Sequence, residues 1–370
     1  MKKLITTSVI LFLFQIPFGG CGEKPKENIK IGVSLPLSGE LANFGKTVLN
    51  GVELAVKQSG LENIELIIED SKGDPKSAVS IINKLTDIDK VKFIIGDLTS
   101  GATLAMAPIV QKKKVLLISP TASNPKLSDA GRYFYRVWPS DNYDGEIAAK
   151  YSFTNMKINR AAIVYINNDY GQGLADIYEK TFIELGGKIL LKESYAQEQT
   201  DFRTLIQVLK GFNPELVYIP GHPYGIGTFL KQAYELGLNC RKFSNVAAED
   251  KEFLNIASSL AKGLFFVTPA FDINSNKPHI EKFLNEYEKK YNNIPDIHAV
   301  KGFEAMFVLI KGFENEKRTP DTMINFLLKN KFDSISGTFS FNKHGDVISD
   351  MAVKKYNENL KIEVVEIVGK

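Results

Sequence analysis

The chain has 370 residues, with 46 Lys and Arg against 43 Asp and Glu, and a formal net charge of +3. A balance this close to neutral gives no support for nucleic-acid binding, which needs a strongly basic surface. Cys21 and Cys240 are the only cysteines, too few for a disulfide framework. A chain of this length exceeds what one hydrophobic core usually organises, so we expect two domains.

The first 20 residues have the pattern of a bacterial export signal. Met1–Lys3 is cationic, residues 4–18 are mostly apolar, and two glycines precede Cys21. The apolar stretch is shorter than the roughly 20 residues that a membrane-spanning helix needs. Cys21 after small residues resembles a lipobox, although Phe18 stands where an aliphatic residue is usual. We expect a lipoprotein signal peptide over 1–20, and a lipid anchor on Cys21 with a polar linker over 21–28. Ordinary secretion and an uncleaved anchor are the alternatives.

From residue 29, short apolar strands alternate with amphipathic helices. The predicted strands are 29–35, 64–69, 92–96 and 115–118. The predicted helices between and after them are 44–58, 75–87 and 101–111. Buried strands separated by helices are typical of a parallel sheet that is covered on both faces. This series predicts one doubly wound α/β lobe.

The same alternation restarts near residue 142 and predicts a second doubly wound lobe. Its predicted helices are 142–154, 171–185, 201–210 and 224–236, and its predicted strands are 160–166, 188–193 and 216–219. The rest of the chain adds strands at 263–267, 337–341, 351–356 and 362–368, and helices at 277–291, 299–313 and 321–329. This tail is too short for a third domain, so we expect it to complete both lobes by crossing between them.

Hydroxyl-rich loops follow two neighbouring strands of the first predicted lobe. They are Leu98–Thr103 (LTSGAT) and Ser119–Pro125 (SPTASNP), each at a strand end. In open α/β sheets, ligands bind beyond the carboxyl ends of the strands. A helix that begins there offers free N–H groups and a positive dipole end to an anion. Ser100 and Ser123 either donate to a ligand carboxylate or only cap their helices, and the pairing of the two loops favours a ligand site.

Motifs for catalysis, cofactors and metals are missing from the sequence. Residues 171–176 (GQGLAD) have the first two glycines of a dinucleotide-binding loop but lack the third. No Gly-x-Ser-x-Gly elbow is present, and the four histidines are scattered without metal-ligand spacing. We therefore predict a protein that is not an enzyme and needs no cofactor or metal.

Six segments, in this order and spacing, resemble the branched-chain amino-acid (Leu/Ile/Val) type of periplasmic solute-binding proteins of ABC transporters, also called type I periplasmic binding proteins. The segments are 31–39, 69–75, 100–104, 118–125, 169–175 and 200–202. The resemblance implies two Rossmann-like α/β lobes joined by three crossover strands, with a ligand cleft between them. The implied crossovers lie near Val137–Asp141, Val267–Asp272 and Phe341–Val347. The implied lobes are 29–141 plus 271–341 and 142–270 plus 342–370.

The resemblance also implies which residues bind the ligand. Ser100 and Ser123 match hydroxyls that bind a ligand carboxylate, and Tyr170 matches a tyrosine that reaches in from the second lobe. His222 and His298 fall where the family usually has aromatic residues, with a place at the rim as the alternative for both. The remaining implied positions are Leu98 and Thr99 beside Ser100, the backbone-facing Thr121 and Ala122, and the aromatic lid Phe44.

One position departs from the family's pattern. Amino-acid binders of this family carry an acid in the second lobe that accepts the ligand's ammonium group, and the matching residue here is Val246. A desolvated ammonium group without an acceptor costs several kcal/mol. Either Glu249 or Asp250 takes over this role, or the ligand has no ammonium group. Amino acids and other carboxylic acids (aromatic, aliphatic or keto acids) stay equal candidates, followed by amides and urea.

We therefore expect an extracytoplasmic, lipid-anchored protein that captures a small carboxylate-bearing ligand. Its expected partners are the permease and ATPase subunits of an ABC importer, and the membrane through the lipid on Cys21. The alternative is a sensor of the same fold, for an amino acid, an amide or urea, that signals without transport. A fold alone does not distinguish the two functions.

Overall fold

The structure, a computed structural model, describes residues 28–369. The predicted signal peptide, Cys21 and residues 22–27 of the predicted linker lie outside this range. Within it, no helix combines the length and the apolar composition that crossing a membrane requires.

The first part of the chain builds one α/β unit with the predicted alternation. Its strands are β1 (Ile29–Leu35), β2 (Ile64–Asp70), β3 (Phe93–Gly96), β4 (Leu116–Ser119) and β5 (Phe134–Arg136). Its helices are α1 (Ala42–Ser59), α2 (Pro75–Asp87) and α3 (Ser100–Lys113). The strands form a five-stranded parallel sheet in the order β2-β1-β3-β4-β5. The loops after β1 and β3, on either side of the point where the order reverses, therefore open at the same carboxyl edge.

The middle of the chain builds the second unit. Its strands are β6 (Arg160–Ile166), β7 (Lys188–Tyr195), β8 (Leu216–Ile219), β9 (Arg241–Ser244) and β10 (Phe265–Pro269). Its helices are α4 (Asp141–Lys150), α5 (Asp169–Glu184), α6 (Arg203–Phe212), α7 (Pro223–Glu235) and α8 (Lys251–Ala257). Strands β6 to β10 pair in parallel, and β10 lies beside β9.

The last part of the chain contributes to both units. It contains the helices α9 (Pro278–Tyr291), α10 (Ile297–Glu314) and α11 (Pro320–Lys329) and the strands β11 (Phe332–Ser334), β12 (Gly337–Phe341), β13 (Val347–Ile348), β14 (Met351–Tyr356) and β15 (Ile362–Val368). Helices α9 to α11 share one apolar core with α1 and the first sheet. Strands β14 and β15 extend the second sheet to the order β15-β14-β10-β9-β8-β6-β7.

The two added strands run antiparallel, whereas the sequence pattern predicted parallel sheets. The reason is the route of the chain. It leaves the second sheet at the carboxyl end of β10, packs α9 to α11 against the first sheet and returns at the same edge, so β14 runs in the opposite direction. The predicted fold class is confirmed: the protein has two α/β lobes built on parallel strands.

Candidate functional site

A cavity of about 410 Å³ is lined by the segments that follow strands β1 to β9 and by the first turn of α10. This is the edge at which ligands bind in open α/β sheets. Ten of the predicted site residues line it: Phe44, Leu98, Thr99, Ser100, Thr121, Ser123, Tyr170, His222, Val246 and His298. The structure therefore brings together side chains that are up to about 250 positions apart in the sequence, from both lobes.

Ala122 is the predicted residue that does not line this cavity, among the residues that the structure describes. Its side chain is buried in the apolar core around Ile94 and Met106. Its N–H donates to Ser119 Oγ at 2.9 Å. This N–H group is therefore not free for a ligand, although Thr121 and Ser123 on either side of it reach the cavity.

The Ser100 hydroxyl stands at the N-terminus of α3, and within residues 28–369 its proton has no acceptor. Its oxygen accepts the N–H groups of Ser123 at 3.3 Å and Asn124 at 3.2 Å. Thr99 caps the helix by accepting the Ala102 N–H at 3.4 Å. Because the oxygen is already an acceptor twice, the hydroxyl proton is available to an acceptor in the cavity. Together with the helix dipole, this favours a carboxylate as the partner.

The buried acid Asp97 orients the loop between β3 and α3, at the start of the helix that carries Ser100. Asp97, fully buried at the end of β3, accepts the Thr99 N–H at 3.0 Å and the Thr99 hydroxyl at 3.2 Å. Ser34 Oγ donates to the other carboxyl oxygen of Asp97 at 3.3 Å. Burial raises the pKa of Asp97 above its ordinary value, against the opposing effect of these hydrogen bonds. Asp97 thus fixes the backbone direction at the start of α3.

Thr121 ties the two hydroxyl-rich loops together. Its hydroxyl donates to the Leu98 carbonyl at 2.8 Å, so its proton is not available to a ligand. The Thr121 oxygen retains acceptor capacity toward the cavity. Of the predicted hydroxyls, Ser100 is therefore the donor and Thr121 is a structural tie.

Ser123 has a buried acid behind it that sequence reasoning missed. The Asp141 N–H donates to the Ser123 carbonyl at 2.8 Å, and among residues 28–369 Oδ2 of the Asp141 carboxyl has no hydrogen-bond partner. Burial raises the pKa of Asp141 to about 7, partly offset by Ser123 and by the charge of Arg136. Asp144, one helical turn further along α4, is also buried, and its pKa is raised well above the ordinary value by burial and by Asp141. The sequence signal was a pair of acids at the start of a predicted helix, which is also the pattern of an ordinary helix N-terminus.

Aromatic rings form the side walls of the cavity. Trp138, the single tryptophan of the chain, stacks on His298 with ring centroids 5.5 Å apart, and Phe44 lies 4.7 Å from the same imidazole. On the side of the second lobe, Tyr170 stacks on His222 at 6.1 Å. Burial lowers the pKa of His222 to about 4, so this imidazole is neutral at neutral pH. The walls therefore present flat apolar faces with few charges.

The wall at Val246 is apolar, as the sequence indicated. Val246 and its neighbour Ala247 line the cavity and are nearly buried. Glu249 is instead paired with Lys354 at 2.6 Å, and Asp250 caps α8 by accepting the Glu252 N–H at 2.7 Å. Within residues 28–369, neither acid lines the cavity. The prediction that Glu249 or Asp250 replaces the missing ammonium acceptor is therefore not supported by their positions.

The acids that do line the cavity are exposed residues of its rim, namely Glu40, Asp169 and Glu198. Glu40 belongs to the first lobe and accepts a hydrogen bond from Gln197 Nε2 of the second lobe at 2.8 Å. Asn124 of the first lobe likewise donates from Nδ2 to the Asp169 carbonyl of the second. These contacts bridge the cleft, so the two lobes are closed on each other.

Arg136 belongs to the connection between the lobes. It is fully buried, forms an ion pair with Asp346 at 2.6 Å and donates to the Asn124 carbonyl at 3.0 Å. Burial lowers its pKa, and Asp346 opposes that effect. All of these partners belong to the protein itself, which makes Arg136 a structural residue of the hinge.

Comparison with known proteins agrees with this geometry. Residues 28–361 match the family model described as periplasmic binding protein. The leucine-, isoleucine-, valine-, threonine- and alanine-binding protein of Pseudomonas aeruginosa is 28% identical, over 87% of this chain and 87% of that protein.

Solved structures share the fold over nearly the whole chain. A leucine-binding protein from Thermotoga maritima has a TM-score of 0.86 and 26% identity, covering 92% of this chain and 99% of that one. A solute-binding protein of an ABC transporter from Rhodopseudomonas palustris, in complex with 3,4-dihydroxybenzoic acid, has a TM-score of 0.80 and 22% identity, covering 89% and 93%. All three are named as binding proteins, for amino acids or for a solute of an ABC transporter. The chain belongs to the periplasmic binding protein family, and within it to the branched-chain amino-acid type.

Proposed function

We propose that this chain is an extracytoplasmic, lipid-anchored receptor that captures a small apolar or aromatic carboxylic acid and delivers it to an ABC importer. The observation that carries the ligand class is the contrast between the two ends of the cavity. Ser100 and the N-terminus of α3 offer hydrogen-bond donors to a carboxylate, whereas Val246 and Ala247 offer an ammonium group no acceptor. The export pattern of residues 1–20 and the position of Cys21 support the location and the anchor.

The aromatic walls of the cavity restrict the range of possible ligands further. Trp138 and His298 on one side and Tyr170 and His222 on the other are suited to a flat or branched apolar group. A relative from Rhodopseudomonas palustris holds 3,4-dihydroxybenzoic acid, and the relative from Pseudomonas aeruginosa is named for leucine and other amino acids. Both ligand classes carry a carboxylate, but only the amino acids also carry an ammonium group.

A thermal-shift screen with matched pairs tests this proposal. Each pair differs by the amine alone: leucine against 4-methylpentanoate, and phenylalanine against 3-phenylpropanoate, with benzoate added. A ligand at a hundredfold excess over its Kd stabilises the protein by about 2.7 kcal/mol, which raises Tm measurably. We expect the acids without the amine to raise Tm and their amino-acid partners to have a smaller effect.

If only the amino acids raise Tm, the ligand class is wrong and an ammonium acceptor exists in the cleft. If none of the carboxylates raises Tm, the carboxylate site at Ser100 is wrong as well. The amide of each acid, such as benzamide, is the control, because it keeps the shape and removes the negative charge.

A further inference from the structure

Two asparagines of the second lobe hydrogen-bond to aromatic side chains that line its wall of the cavity. They are Asn245, beside Tyr170, and Asn168, beside His222. We propose that these asparagines are positioning residues that make both aromatic side chains hydrogen-bond donors, so that the ligand carries a second, uncharged acceptor oxygen beside its carboxylate, as a 2-oxo acid does. This inference rests on the proposed function, because it takes the ligand carboxylate to lie at Ser100.

The amide of Asn245 has one favoured orientation. Asn245 directly follows β9, is fully buried, and does not itself line the cavity in the described part of the chain. Its Nδ2 donates to the Gly221 carbonyl at 3.1 Å, and its Oδ1 accepts the Gly221 N–H at 3.5 Å. A reversed amide would place oxygen against oxygen and N–H against N–H. The backbone of Gly221 therefore determines which end of the amide is Nδ2.

This orientation leaves the Tyr170 proton to the cavity. Nδ2 of Asn245 also donates to the Tyr170 hydroxyl oxygen, which is therefore the acceptor in that hydrogen bond. Burial raises the pKa of Tyr170 well above its ordinary value, so the phenol keeps its proton at neutral pH. Within residues 28–369, no other group accepts that proton. Because Tyr170 lines the cavity, its hydroxyl is a donor for the ligand.

His222 becomes a donor in the same way. Asn168 caps α5 by accepting the Gly171 N–H at Oδ1, at 2.9 Å, which directs its Nδ2 toward His222 Nε2 at 3.5 Å. Because Nδ2 is a donor, Nε2 accepts and the ring proton is on Nδ1. Burial lowers the pKa of His222 to about 4, so the ring carries only this proton at neutral pH. Among the described residues, the Nδ1–H group has no acceptor.

The start of α5 lies against the start of α3 across the cleft. A Cβ atom at Gly101 would lie 3.1 Å from Asp169 Oδ2, and Asn124 of the first lobe donates to the Asp169 carbonyl. Tyr170 follows Asp169, and Ser100 precedes Gly101, so each lobe contributes a donor near the same end of the cavity. A ligand with acceptors on adjacent carbon atoms can therefore bond to both lobes, which favours the closed state.

The second acceptor is expected to be uncharged. Lys72 is the lysine or arginine that lines the cavity in the described part of the chain, and it is an exposed residue of the first lobe. The buried acids of α4 raise the pKa of Tyr170 by their charge, after the larger effect of burial, and this field also disfavours a second carboxylate. An uncharged oxygen on the ligand avoids this repulsion.

A carbonyl oxygen fits this wall better than a hydroxyl or an ammonium group. Both of those groups bring protons of their own, and the neighbouring Val246 and Ala247 side chains offer them no acceptor. A carbonyl oxygen accepts two hydrogen bonds and donates none, which matches the two donors Tyr170 and His222. We therefore assign a 2-oxo acid as the ligand class.

Isothermal titration calorimetry of the wild type at neutral pH tests this assignment with ligands of one carbon skeleton. They are 4-methylpentanoate, 4-methyl-2-oxopentanoate, 2-hydroxy-4-methylpentanoate and leucine, or the corresponding phenylalanine series if these do not bind. We expect the oxo acid to bind about ten- to a hundredfold more tightly than the unsubstituted acid, because it gains one or two hydrogen bonds. The hydroxy acid should bind more weakly than the oxo acid, and leucine should bind most weakly.

Two variants test the roles of the donors. Tyr170→Phe keeps the ring and should lose most of the preference for the oxo acid, with little change in Kd for the unsubstituted acid. Tyr165→Phe is the matched control, because its hydroxyl donates to Gln172 at 2.9 Å and it does not line the cavity in the described part of the chain. Asn245→Asp replaces the donor with an acceptor that takes the Tyr170 proton, so it should lower the ratio of the two Kd values. A merely loosened wall would weaken both acids alike.

The outcomes separate this inference from the proposed function. Equal affinity of the wild type for the oxo and unsubstituted acids, or tighter binding of the hydroxy acid, overturns the 2-oxo assignment while the carboxylate site stands. Equal weakening of both acids in Tyr170→Phe also overturns it, because Tyr170 would then donate to the carboxylate. An unchanged ratio in folded Asn245→Asp contradicts the positioning role. If leucine binds most tightly, or no acid of either series binds, the proposed function fails and this inference with it.

Discussion

Two hydroxyl side chains at the carboxylate end of the cavity differ in where their protons go. Thr121 uses its proton on the Leu98 carbonyl, whereas Ser100 accepts two N–H groups and, within residues 28–369, donates its proton to no other group. Residue type alone did not reveal this difference. It depends on which backbone groups the neighbouring loop presents to each oxygen.

Ser100→Ala is expected to weaken carboxylate binding by about 1.5 to 3 kcal/mol, the usual range for a hydrogen bond to a charged group. The measurement is Kd at pH 6 for the carboxylate with the largest thermal shift. Thr103→Val is the matched control, because its hydroxyl also lies on α3 but donates to the Thr99 carbonyl at 2.8 Å, away from the ligand. The control should lose stability and keep its Kd, and equal losses of affinity in both variants would contradict the role of Ser100.

The sequence located ten of the residues that line the cavity but missed Trp138 in its wall and the buried Asp141 behind Ser123. Most of the predicted positions lie in the segments that follow apolar strands, where pattern and resemblance both indicate a ligand site. Trp138 and Asp141 follow β5, a strand of three residues that gives no periodic signal. Their place in the site is set by tertiary packing: Trp138 by its contact with His298 of α10, and Asp141 by its contact with Ser123.

At the level of elements, α1 and α10 cross with their backbones in contact. A Cβ atom at Gly51 would lie 2.0 Å from the Ala299 carbonyl oxygen, and one at Gly302 would lie 2.1 Å from the Val48 carbonyl oxygen. Only glycine permits this approach. The crossing also fixes the start of α10, where Asp296 caps the helix and His298 reaches the cavity.

Gly302→Ala is therefore expected to lower the free energy of unfolding by about 1 to 3 kcal/mol, as overpacking does in a closely packed core. Gly211→Ala on α6 is the control, since a Cβ atom there meets nothing within 4 Å. That control should be neutral or stabilise the protein by up to about 1 kcal/mol, because alanine is the better helix former. Urea unfolding measures the free energy of unfolding of both variants. If Gly302→Ala leaves it unchanged, α1 and α10 move apart at little energetic cost and the close approach is not important for stability.

Elements with a clear apolar run or helical period were predictable from the sequence, including the four-residue strand β8, and elements without such a pattern were not. Helix α2 and strands β1 and β6 begin and end where the periodic pattern predicted. Strands β5, β9, β11 and β13 have four residues or fewer, and β9 begins with Arg241 and Lys242, so no apolar run marks it. The antiparallel direction of β14 follows from the route of the chain between the lobes, which local pattern does not encode.

For the whole molecule, the closed cleft is held at its rim by few polar contacts. Gln197 and Glu40 are exposed and meet across the cleft, so their hydrogen bond exists only while the lobes are closed. A ligand that touches both lobes favours the closed state by its differential contacts. Rim contacts therefore influence how long the ligand stays bound.

Gln197→Ala is expected to remove about 0.5 to 1.5 kcal/mol from the closed state and to speed ligand release by about two- to tenfold. Stopped-flow fluorescence of Trp138, the single tryptophan, measures that rate inside the cavity. Gln199→Ala is the control, because Gln199 bonds to Ala196 and Asp201 within its own lobe. Equal release rates in both variants would mean that the rim contact does not hold the cleft closed.

The buried pair of Arg136 and Asp346 also has a mechanical consequence. The two residues lie on different passages of the chain between the sheets, and their ion pair fastens those passages side by side. Two chain segments joined side by side in this way bend together far more readily than they slide or twist against each other. We therefore expect the lobes to open by a hinge rotation about these segments, so that solute enters and leaves on the side opposite the hinge, near Glu40 and Gln197.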